Sequence, residues 1–422
     1  MSTPRKVGML ALAVVLALAV GACGKADDDG GGGGAEGGVK TGPGTTADTI
    51  TLGYLPDLSG VFAPNGKAMM EGAKLYWDAK NKAGGICGRQ VEINVQDTGY
   101  DPQKAVAAYR QMSGDVVGLG LVLGSSIVSA LLPSVEQEDM FLNFAGWTSD
   151  VLPNENVAIA GTTYDIEAIN AVDFLMKKHG VKSGDTIGHL YFEGDYGENA
   201  LKGSKFAAGK HDLKIVEQKV TPADTDMTGQ VAAFRRAGVK AILFSAAPPQ
   251  AASLAGVAAS QKLDVPIVAN GPGWTPQLLT TPAAGALTAN YHVVSSMAPL
   301  SVQDEGVQKF LSEYEKAYPK GTPSSNGSLY AYAGAQIADA ALTKACENKD
   351  LTRKGVLDAL RSLDAVDTGG TVAGSLDFTD PAEPPSRLVY IAKVSKGAPG
   401  GLEAIGEPST ADDAKNYDLG GN

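Results

Sequence analysis

Residues 116–148 read VVGLGLVLGSSIVSALLPSVEQEDMFLNFAGWT, and this stretch decides the fold class. Its start, 116–123, is a continuous apolar run, which is typical of a parallel strand buried on both faces. A turn at Gly124-Ser125-Ser126 leads into a helical pattern that extends to about Gln137, and a second strand is predicted at 141–144. The order strand, helix, strand predicts a parallel sheet, whose ligand sites lie where strands end.

The same alternation extends outward from this stretch in both directions. On the N-terminal side, strands are predicted at 50–54 and 91–95, and helices at 67–82 and 101–112. On the C-terminal side, helices are predicted at 166–179, 198–208, 227–237, 251–261, 305–317, 328–346 and 352–363, and strands at 187–191, 214–220, 241–244, 267–269, 291–295, 376–378 and 388–394. The folded body, about 48–408, exceeds the usual size of one domain. We therefore predict an α/β fold with two doubly wound, Rossmann-like lobes.

The N-terminus has the pattern of a secretory signal. Arg5 and Lys6 precede an apolar stretch at 7–20, which is too short for a comfortable transmembrane helix. Small residues then lead to Cys23, and the segment 20–23 resembles a bacterial lipobox. We predict a signal peptide at 1–22, a lipid on Cys23, and a disordered Gly-rich linker over 23–47. The alternative is an ordinary cleaved signal with an incidental cysteine.

Charge and motif content exclude several function classes. The net charge is −12 without a Lys/Arg cluster, which argues against nucleic acid and against docking on anionic lipid. The four histidines form no HExxH pair, and neither a GxSxG elbow nor a P-loop occurs. We therefore predict no metal, no cofactor and no enzymatic activity, although a spatial triad stays open as an alternative.

The predicted helices and the loops around them carry a recognisable set of motifs. They are Leu58-Ser59-Gly60, Gly84-Gly85-Ile86, Asp97 before Asp101-Pro102, Ala130-x-x-Pro133, Asp195-Tyr196-Gly197, and Gly369-Gly370 before Phe378. In order and spacing the chain resembles the leucine/isoleucine/valine-type ligand-binding family of ABC transporters. That resemblance implies a type I periplasmic binding protein, with two lobes joined by a three-strand hinge. It places 48–160 and 292–372 in the N-terminal lobe, 161–291 and 373–405 in the C-terminal lobe, and 406–422 in a tail.

The resemblance also implies a ligand site in the cleft between the lobes. The family holds a ligand carboxylate with hydroxyl and backbone N–H groups, and the matching loops here are 124–126 and 145–148. The site residues that we predict are Ser125, Ser126, Gly146, Trp147, Thr148, Tyr196, Trp274 and Tyr330. A capping role for either serine stays open. A packing role for Trp147, Trp274 or Tyr330 stays open as well.

Two cysteines remain after Cys23. By the resemblance, Cys87 and Cys346 lie in the same lobe, at the ends of two helices that run away from the cleft. We predict a disulfide between them, with two free thiols as the alternative.

One departure from the family pattern concerns the ligand. The amino-acid binders place an acid, for the ligand ammonium, where this chain has Gly271-Pro272-Gly273. Either Asp195 or Glu193 takes over that role, or the ligand is a carboxylate, amide or aromatic acid without the amine. We predict a monomeric, extracytoplasmic, lipid-anchored substrate-binding protein that delivers a small ligand to an ABC permease. The alternatives are a sensor subunit that presents ligand to a receptor, and an exported hydrolase.

Overall fold

The computed structural model describes residues 35–36, 38–318 and 325–419. The predicted signal peptide and Cys23 lie outside these described residues. Within the described ranges, every helix is too short or too polar to span a bilayer.

The elements alternate as the sequence predicts. The strands are β1 (Ala35–Glu36), β2 (Val39–Thr41), β3 (Thr49–Leu55), β4 (Gln90–Val95), β5 (Gly118–Leu123), β6 (Leu142–Ala145), β7 (Val157–Ile159), β8 (Thr186–Phe192), β9 (Lys214–Val220), β10 (Ile242–Ser245), β11 (Ile267–Asn270), β12 (Tyr291–Ser295), β13 (Asp350–Leu351), β14 (Tyr390–Val394) and β15 (Leu402–Ala404). The helices are α1 (Ala63–Lys82), α2 (Pro102–Met112), α3 (Ser125–Gln137), α4 (Tyr164–His179), α5 (Asp195–Lys210), α6 (Thr228–Ala237), α7 (Pro248–Ser260), α8 (Ala284–Asn290), α9 (Glu305–Ala317), α10 (Asn326–Glu347), α11 (Arg353–Arg361) and α12 (Asp412–Lys415).

Two large sheets organise the fold. The first has five parallel strands in the order β4-β3-β5-β6-β7, and every residue of β5 is buried, as its apolar run predicts. The second has seven strands in the order β15-β14-β12-β11-β10-β8-β9, with antiparallel pairing only at β14 and β15. Two doubly wound lobes are therefore confirmed.

The chain crosses between the lobes at three points that lie together. The Ser296 hydroxyl donates to the carbonyl oxygen of Ala160 (3.2 Å), and the Ala373 N–H donates to the carbonyl oxygen of Ser296 (2.8 Å). The crossing at Ser296 is thus hydrogen-bonded to the other two crossings, at Ala160 and Ala373. Strand β12 pairs in full with the second sheet, so the chain returns to the first lobe after Ser295 rather than at 292.

Regular structure is already present within the predicted linker. Strand β2 pairs with β13, and the N–H of Lys40 donates to the carbonyl oxygen of Lys349 (3.0 Å). Thr45 is buried, and its hydroxyl donates to the carbonyl oxygen of Leu351 (3.3 Å). A disordered linker over the whole of 23–47 is therefore wrong. Residues 39–41 form a strand because the edge of β13 supplies hydrogen-bond partners for their main-chain N–H and C=O groups.

The predicted tail after 405 packs on the second lobe. Ala411, Ala414 and Tyr417 are buried in a small core beneath the second sheet. The guanidinium of Arg387 donates to the carbonyl oxygens of Ala414 (2.8 Å) and Tyr417 (3.0 Å). Residues 411–417 are thus part of this lobe.

Helices α1 and α10 form the most closely packed helix pair of the first lobe. Gly72 allows this approach, because a Cβ atom there would lie 1.8 Å from the carbonyl oxygen of Ser328. Cys87, in the loop after α1, and Cys346, in the last turn of α10, form the predicted disulfide, with their Cα atoms 6.4 Å apart. The bridge therefore fixes two helices whose other ends reach the cleft.

Other differences from the predicted elements are local. Helix α1 starts at Ala63 rather than 67, and α5 starts at Asp195, within a predicted loop. Helix α8 was not predicted. No strand forms at 376–378 among the described residues, because Leu376 makes only an isolated bridge to Val366.

Candidate ligand-binding site

A cavity lies between the two sheets, where the carboxyl ends of parallel strands face each other. In the first lobe, the loops after β3, β4, β5 and β6 and the start of α10 line it. The second lobe contributes the starts of α4 and α5 and the loop after β11. This is the position that the loop argument predicts for a ligand.

The start of α3 forms the polar part of the cavity wall. Gly124 has a φ of 114°, and a Cβ atom there would lie 2.7 Å from the ring of Tyr100. This turn brings Ser125 into the cavity, where its Oγ is buried without a hydrogen-bond partner. The first N–H groups of a helix also lack partners within the helix, and together with the helix dipole they favour an anion.

Aromatic rings from both lobes form most of the remaining wall. Trp147 packs edge-on against Tyr164 and Tyr330, with centroid distances of 5.3 and 5.2 Å. Tyr164 lies 4.4 Å from Tyr196, and Phe62 extends the row with a centroid 6.5 Å from Tyr196. Burial raises the pKa of Tyr196 well above its usual value, so its hydroxyl keeps its proton. That hydroxyl is buried without a partner.

The loop after β11 closes the cavity from the second lobe. Asn65 of α1 reaches across the cleft, and its Nδ2 donates to the carbonyl oxygens of Pro272 (3.3 Å) and Trp274 (3.4 Å). The Trp274 indole N–H donates to the carbonyl oxygen of Gly400 (3.0 Å), which fixes the ring. The two lobes are therefore in direct contact at this edge of the cavity.

Among the residues that the structure describes, no charged side chain lines the cavity. The two acids considered for a ligand ammonium have other partners. Asp195 accepts a hydrogen bond from the Ser129 hydroxyl (2.7 Å), and Glu193 pairs with Lys219 (3.3 Å). Neither acid belongs to the lining, so the described cavity wall has no carboxylate for an ammonium group.

A buried polar chain lies behind the second-lobe wall. Asn270 donates to Oε2 of Glu167 (2.7 Å), whereas Oε1 of Glu167 has no partner. Burial raises the pKa of Glu167 to about 8, although Asn270 and the backbone of Ser296 act in the opposite direction. The chain continues from Asn270 through Ser245 (2.5 Å) to Nε2 of His189 (3.0 Å). Burial lowers the pKa of His189 to about 3, so this imidazole is neutral.

The structure brings five of the predicted site residues together and leaves three outside the lining. The five are Ser125, Trp147, Tyr196, Trp274 and Tyr330. Ser126 lines a neighbouring pocket with Asp195. Thr148 caps a short helical turn, because its Oγ1 accepts from the N–H of Asp150 (3.2 Å). Gly146 packs behind the wall, where a Cβ atom would lie 2.5 Å from the ring of Phe144.

Other lining residues were not predicted from the sequence. They are Phe62, Asn65, Met69, Tyr100, Tyr164, Ser295, Met297, Asn326 and others in the same loops. Tyr100 follows β4 as Ser125 follows β5, so its place after a strand was a usable signal. Tyr164 and Asn326 come to the cavity from the starts of α4 and α10, and no local pattern marks them.

This arrangement suits a ligand with an apolar body and one polar end. The described residues contain no group of three His, Cys, Asp or Glu side chains that could hold a metal ion. Two lobes that close over such a cavity define a ligand-binding protein of the type I periplasmic class. The chain belongs to the periplasmic binding protein family, whose sequence model matches residues 49–399.

Two relatives cover most of this chain, and both are named for the ligands that they bind. A leucine-, isoleucine-, valine-, threonine- and alanine-binding protein from Pseudomonas aeruginosa is 25% identical over 341 residues, covering 79% of this chain and 87% of the relative. A fatty acid ABC transporter substrate-binding protein from Thermomonospora curvata is 43% identical, covers 90% of this chain and 97% of its own, and has a TM-score of 0.88.

A more distant solved structure has the same fold. A branched chain amino acid ABC transporter protein from Thermus thermophilus with bound valine is 18% identical, with a TM-score of 0.78 and coverage of 89% and 98%. Membership of the family implies an extracytoplasmic substrate-binding protein and not an enzyme.

Proposed function

We propose that this chain is the substrate-binding lipoprotein of an ABC importer for an aliphatic carboxylic acid that lacks an α-amino group. The observation that carries this proposal is the contrast within the described cavity wall. It offers an unpartnered hydroxyl beside a helix N-terminus, but no charged side chain.

The carboxylate end would bind at the start of α3. The Oγ of Ser125 and the first backbone N–H groups of α3 are hydrogen-bond donors that need no counter-charge of their own. Hydrogen bonds to a charged group contribute about 1.5–3 kcal/mol each. Such an end also explains why Ser125 is buried without a protein partner.

The described lining is unsuited to a free ammonium group. Burial of an unpaired ion costs several kcal/mol, and neither Asp195 nor Glu193 faces the cavity. The rings of Trp147, Tyr164 and Tyr330 suit a hydrocarbon body instead. The relative at 43% identity, a fatty acid ABC transporter substrate-binding protein, supports the same ligand class.

A branched-chain amino acid is the second candidate. Curated relatives at about a quarter identity are named for leucine, isoleucine and valine. The rings of Trp147 and Tyr196 could attract an ammonium by cation–π contact, which contributes about 0.5–2 kcal/mol. That contact is weaker than the carboxylate pair that the family pattern supplies.

The membrane anchor and the permease complete the proposal. The pattern of Arg5, Lys6, an apolar stretch and Cys23 supports export followed by lipidation. A Cys23→Ala variant expressed in a bacterial host should move from the membrane fraction to the soluble fraction. Labelling with a radioactive fatty acid should disappear with it, and labelling that persists on the variant would contradict the anchor.

A thermal-shift panel tests the ligand class, because a ligand that binds only the folded state raises the melting temperature. The protein is first unfolded, washed free of bound ligand and refolded. We expect upward shifts with linear monocarboxylic acids, and smaller or no shifts with leucine, isoleucine, valine and the primary amides of the same acids. The largest shift with a branched-chain amino acid would contradict the proposal.

A further inference from the structure

A second, apolar cavity adjoins the ligand cavity next to the hinge, and we name it the hinge pocket. It is lined by Val293, Pro299, Tyr390, Ala392 and Leu402. It shares further lining residues with the ligand cavity, among them Trp274 and Met297. The hinge pocket is therefore the inner neighbour of the ligand cavity.

Three neighbouring strands of the second sheet build this pocket. Val293 of β12 lies directly opposite Ala392 of β14, so both side chains point to the same face of the sheet. Leu402 of β15 pairs with Val394 of β14. Val394 lies two residues after Ala392 on the same strand, so Leu402 points to the same face of the sheet as Ala392. Val293, Ala392 and Leu402 are at most 3% exposed, so the pocket lies among buried side chains.

The small side chain at 392 leaves the space. Ala392 lies between Val293 of β12 and Ala404 of β15 in the sheet, and apart from glycine it has the smallest side chain in the pocket lining. A leucine at this position would occupy the space that alanine leaves. A smaller residue at 293 would enlarge the pocket from the opposite side.

Two large side chains, Trp274 and Met297, lie between the two cavities, and they differ in how easily they can change conformation. Trp274 is held by its indole hydrogen bond to Gly400. Met297 is buried at the second crossing, and its unbranched side chain adapts its shape more readily than other apolar side chains do. Movement of Met297 would join the hinge pocket to the ligand cavity.

We propose that the hinge pocket receives the far end of the aliphatic chain, and that Ala392 and Val293 set the longest chain that binds. This inference rests on the proposed function, because it takes the polar end of the ligand to lie at Ser125. The size of the hinge pocket then limits the length of the aliphatic chain that can bind. It takes a saturated hydrocarbon end, since the part of its lining away from the ligand cavity is formed by Val293, Pro299, Ala392, Leu402 and the ring of Tyr390, whereas the polar Ser295 and Asn326 lie on the side shared with the ligand cavity.

The test is the dependence of affinity on chain length. Titration calorimetry of ligand-free protein with linear saturated acids, from butanoic to tetradecanoic acid, gives one curve for each variant. For the unmodified protein we expect affinity to rise about fourfold with each added methylene until the hinge pocket is full. Ala392→Leu should follow this rise for short acids and then stop at a shorter chain.

Two further variants complete the test. Val293→Ala should shift the longest favoured chain in the opposite direction, toward longer acids. Ala340→Leu is the size-matched control, because Ala340 lies half-buried on α10 and lines neither cavity. It should leave the profile unchanged. Tight binding of a short acid by Ala392→Leu also shows that the variant is folded.

The outcomes separate the two proposals. A changed length limit in Ala392→Leu, with short acids unaffected, supports the hinge pocket. If both pocket variants keep the profile of the unmodified protein, or weaken all lengths by one factor, the hinge-pocket proposal is overturned while the proposed function stands. If the unmodified protein binds none of these acids, the proposed function fails first and this inference fails with it.

Discussion

The two walls of the ligand cavity differ in chemistry. The first-lobe wall carries buried polar atoms without partners: Oγ of Ser125 and the side-chain oxygens of Asn65 and Asn326. The second-lobe wall presents the rings of Tyr196 and Trp274 and the backbone of the loop after β11, and among its described side chains the Tyr196 hydroxyl is the unpartnered polar atom. On the proposed function, the first lobe binds the polar end of the ligand at the start of α3, and the second lobe covers its apolar body.

The lobes also differ in how they are stabilised. The first is cross-linked by Cys87–Cys346, which joins the loop after α1 to the last turn of α10. The second contains the buried chain from Glu167 to His189. Each lobe therefore offers a different way to test the comparison.

The largest expected effect is on the first lobe. Replacement of both Cys87 and Cys346 by serine should lower the free energy of unfolding by about 3–5 kcal/mol, because the bond closes a loop with a sequence separation of 259. Ligand affinity should stay within about twofold, since α10 carries Cys346 roughly 30 Å from its cleft end. Urea unfolding and calorimetry measure the two quantities, and an unchanged unfolding midpoint would refute the first.

The next effect concerns the second lobe and depends on pH. Glu167 has a pKa of about 8 in the folded protein, against about 4.3 in an unfolded chain. The folded state thus holds the proton to higher pH, and the stability present below about pH 4.3 is lost as pH rises through 8. The loss is on the order of several kcal/mol.

Glu167→Gln should remove this loss, because an amide cannot ionise. The free energy of unfolding of the variant, measured from pH 5 to 9, should fall less steeply than that of the unmodified protein. Parallel curves would show that Glu167 is ionised in both states.

Two neighbouring serines, Ser125 and Ser126, test whether the first-lobe wall binds the polar end of the ligand. Ser125→Ala should weaken binding of a linear monocarboxylic acid by about ten- to a hundredfold, the loss of one hydrogen bond to a charged group. Stability should not fall, since the removed hydroxyl has no protein partner. Ser126→Ala is the control, because Ser126 lies outside the ligand cavity. Equal losses in both variants would place the polar end elsewhere.

The smallest effect is expected on the opposite wall. Tyr196→Phe keeps the ring that packs on Tyr164 and removes only an unpartnered hydroxyl. Affinity for the same acid should change by less than about threefold, and stability should be unchanged or slightly raised. A tenfold loss by calorimetry would mean that the second lobe also holds the polar end.

The sequence predicts the part of this site that follows the strands. The runs at 116–123 and 141–144 locate the loops that carry Ser125 and Trp147, because a ligand site lies at the ends of parallel strands. The same argument does not predict Tyr164 and Asn326 as lining residues. Each lies at the start of a helix and reaches the cavity only through the tertiary fold. Glu167 likewise reads as an ordinary polar residue near a helix start.

Element boundaries show the same limit. Strand β2 was assigned to the linker because its hydrogen-bond partner, β13, lies some 300 residues away in the sequence. The segment 376–378 reads as a strand, yet it finds only one bridge partner. Both results depend on tertiary pairing and not on local pattern.

The central claim is that the cavity accepts a carboxylate and rejects an α-ammonium. Titration calorimetry of ligand-free protein with octanoic acid and with 2-aminooctanoic acid tests it most directly, since the two ligands differ only in the amino group. We predict that the amino acid binds at least about tenfold more weakly, because the described cavity wall has no carboxylate for it. Tighter binding of the amino acid would contradict the account.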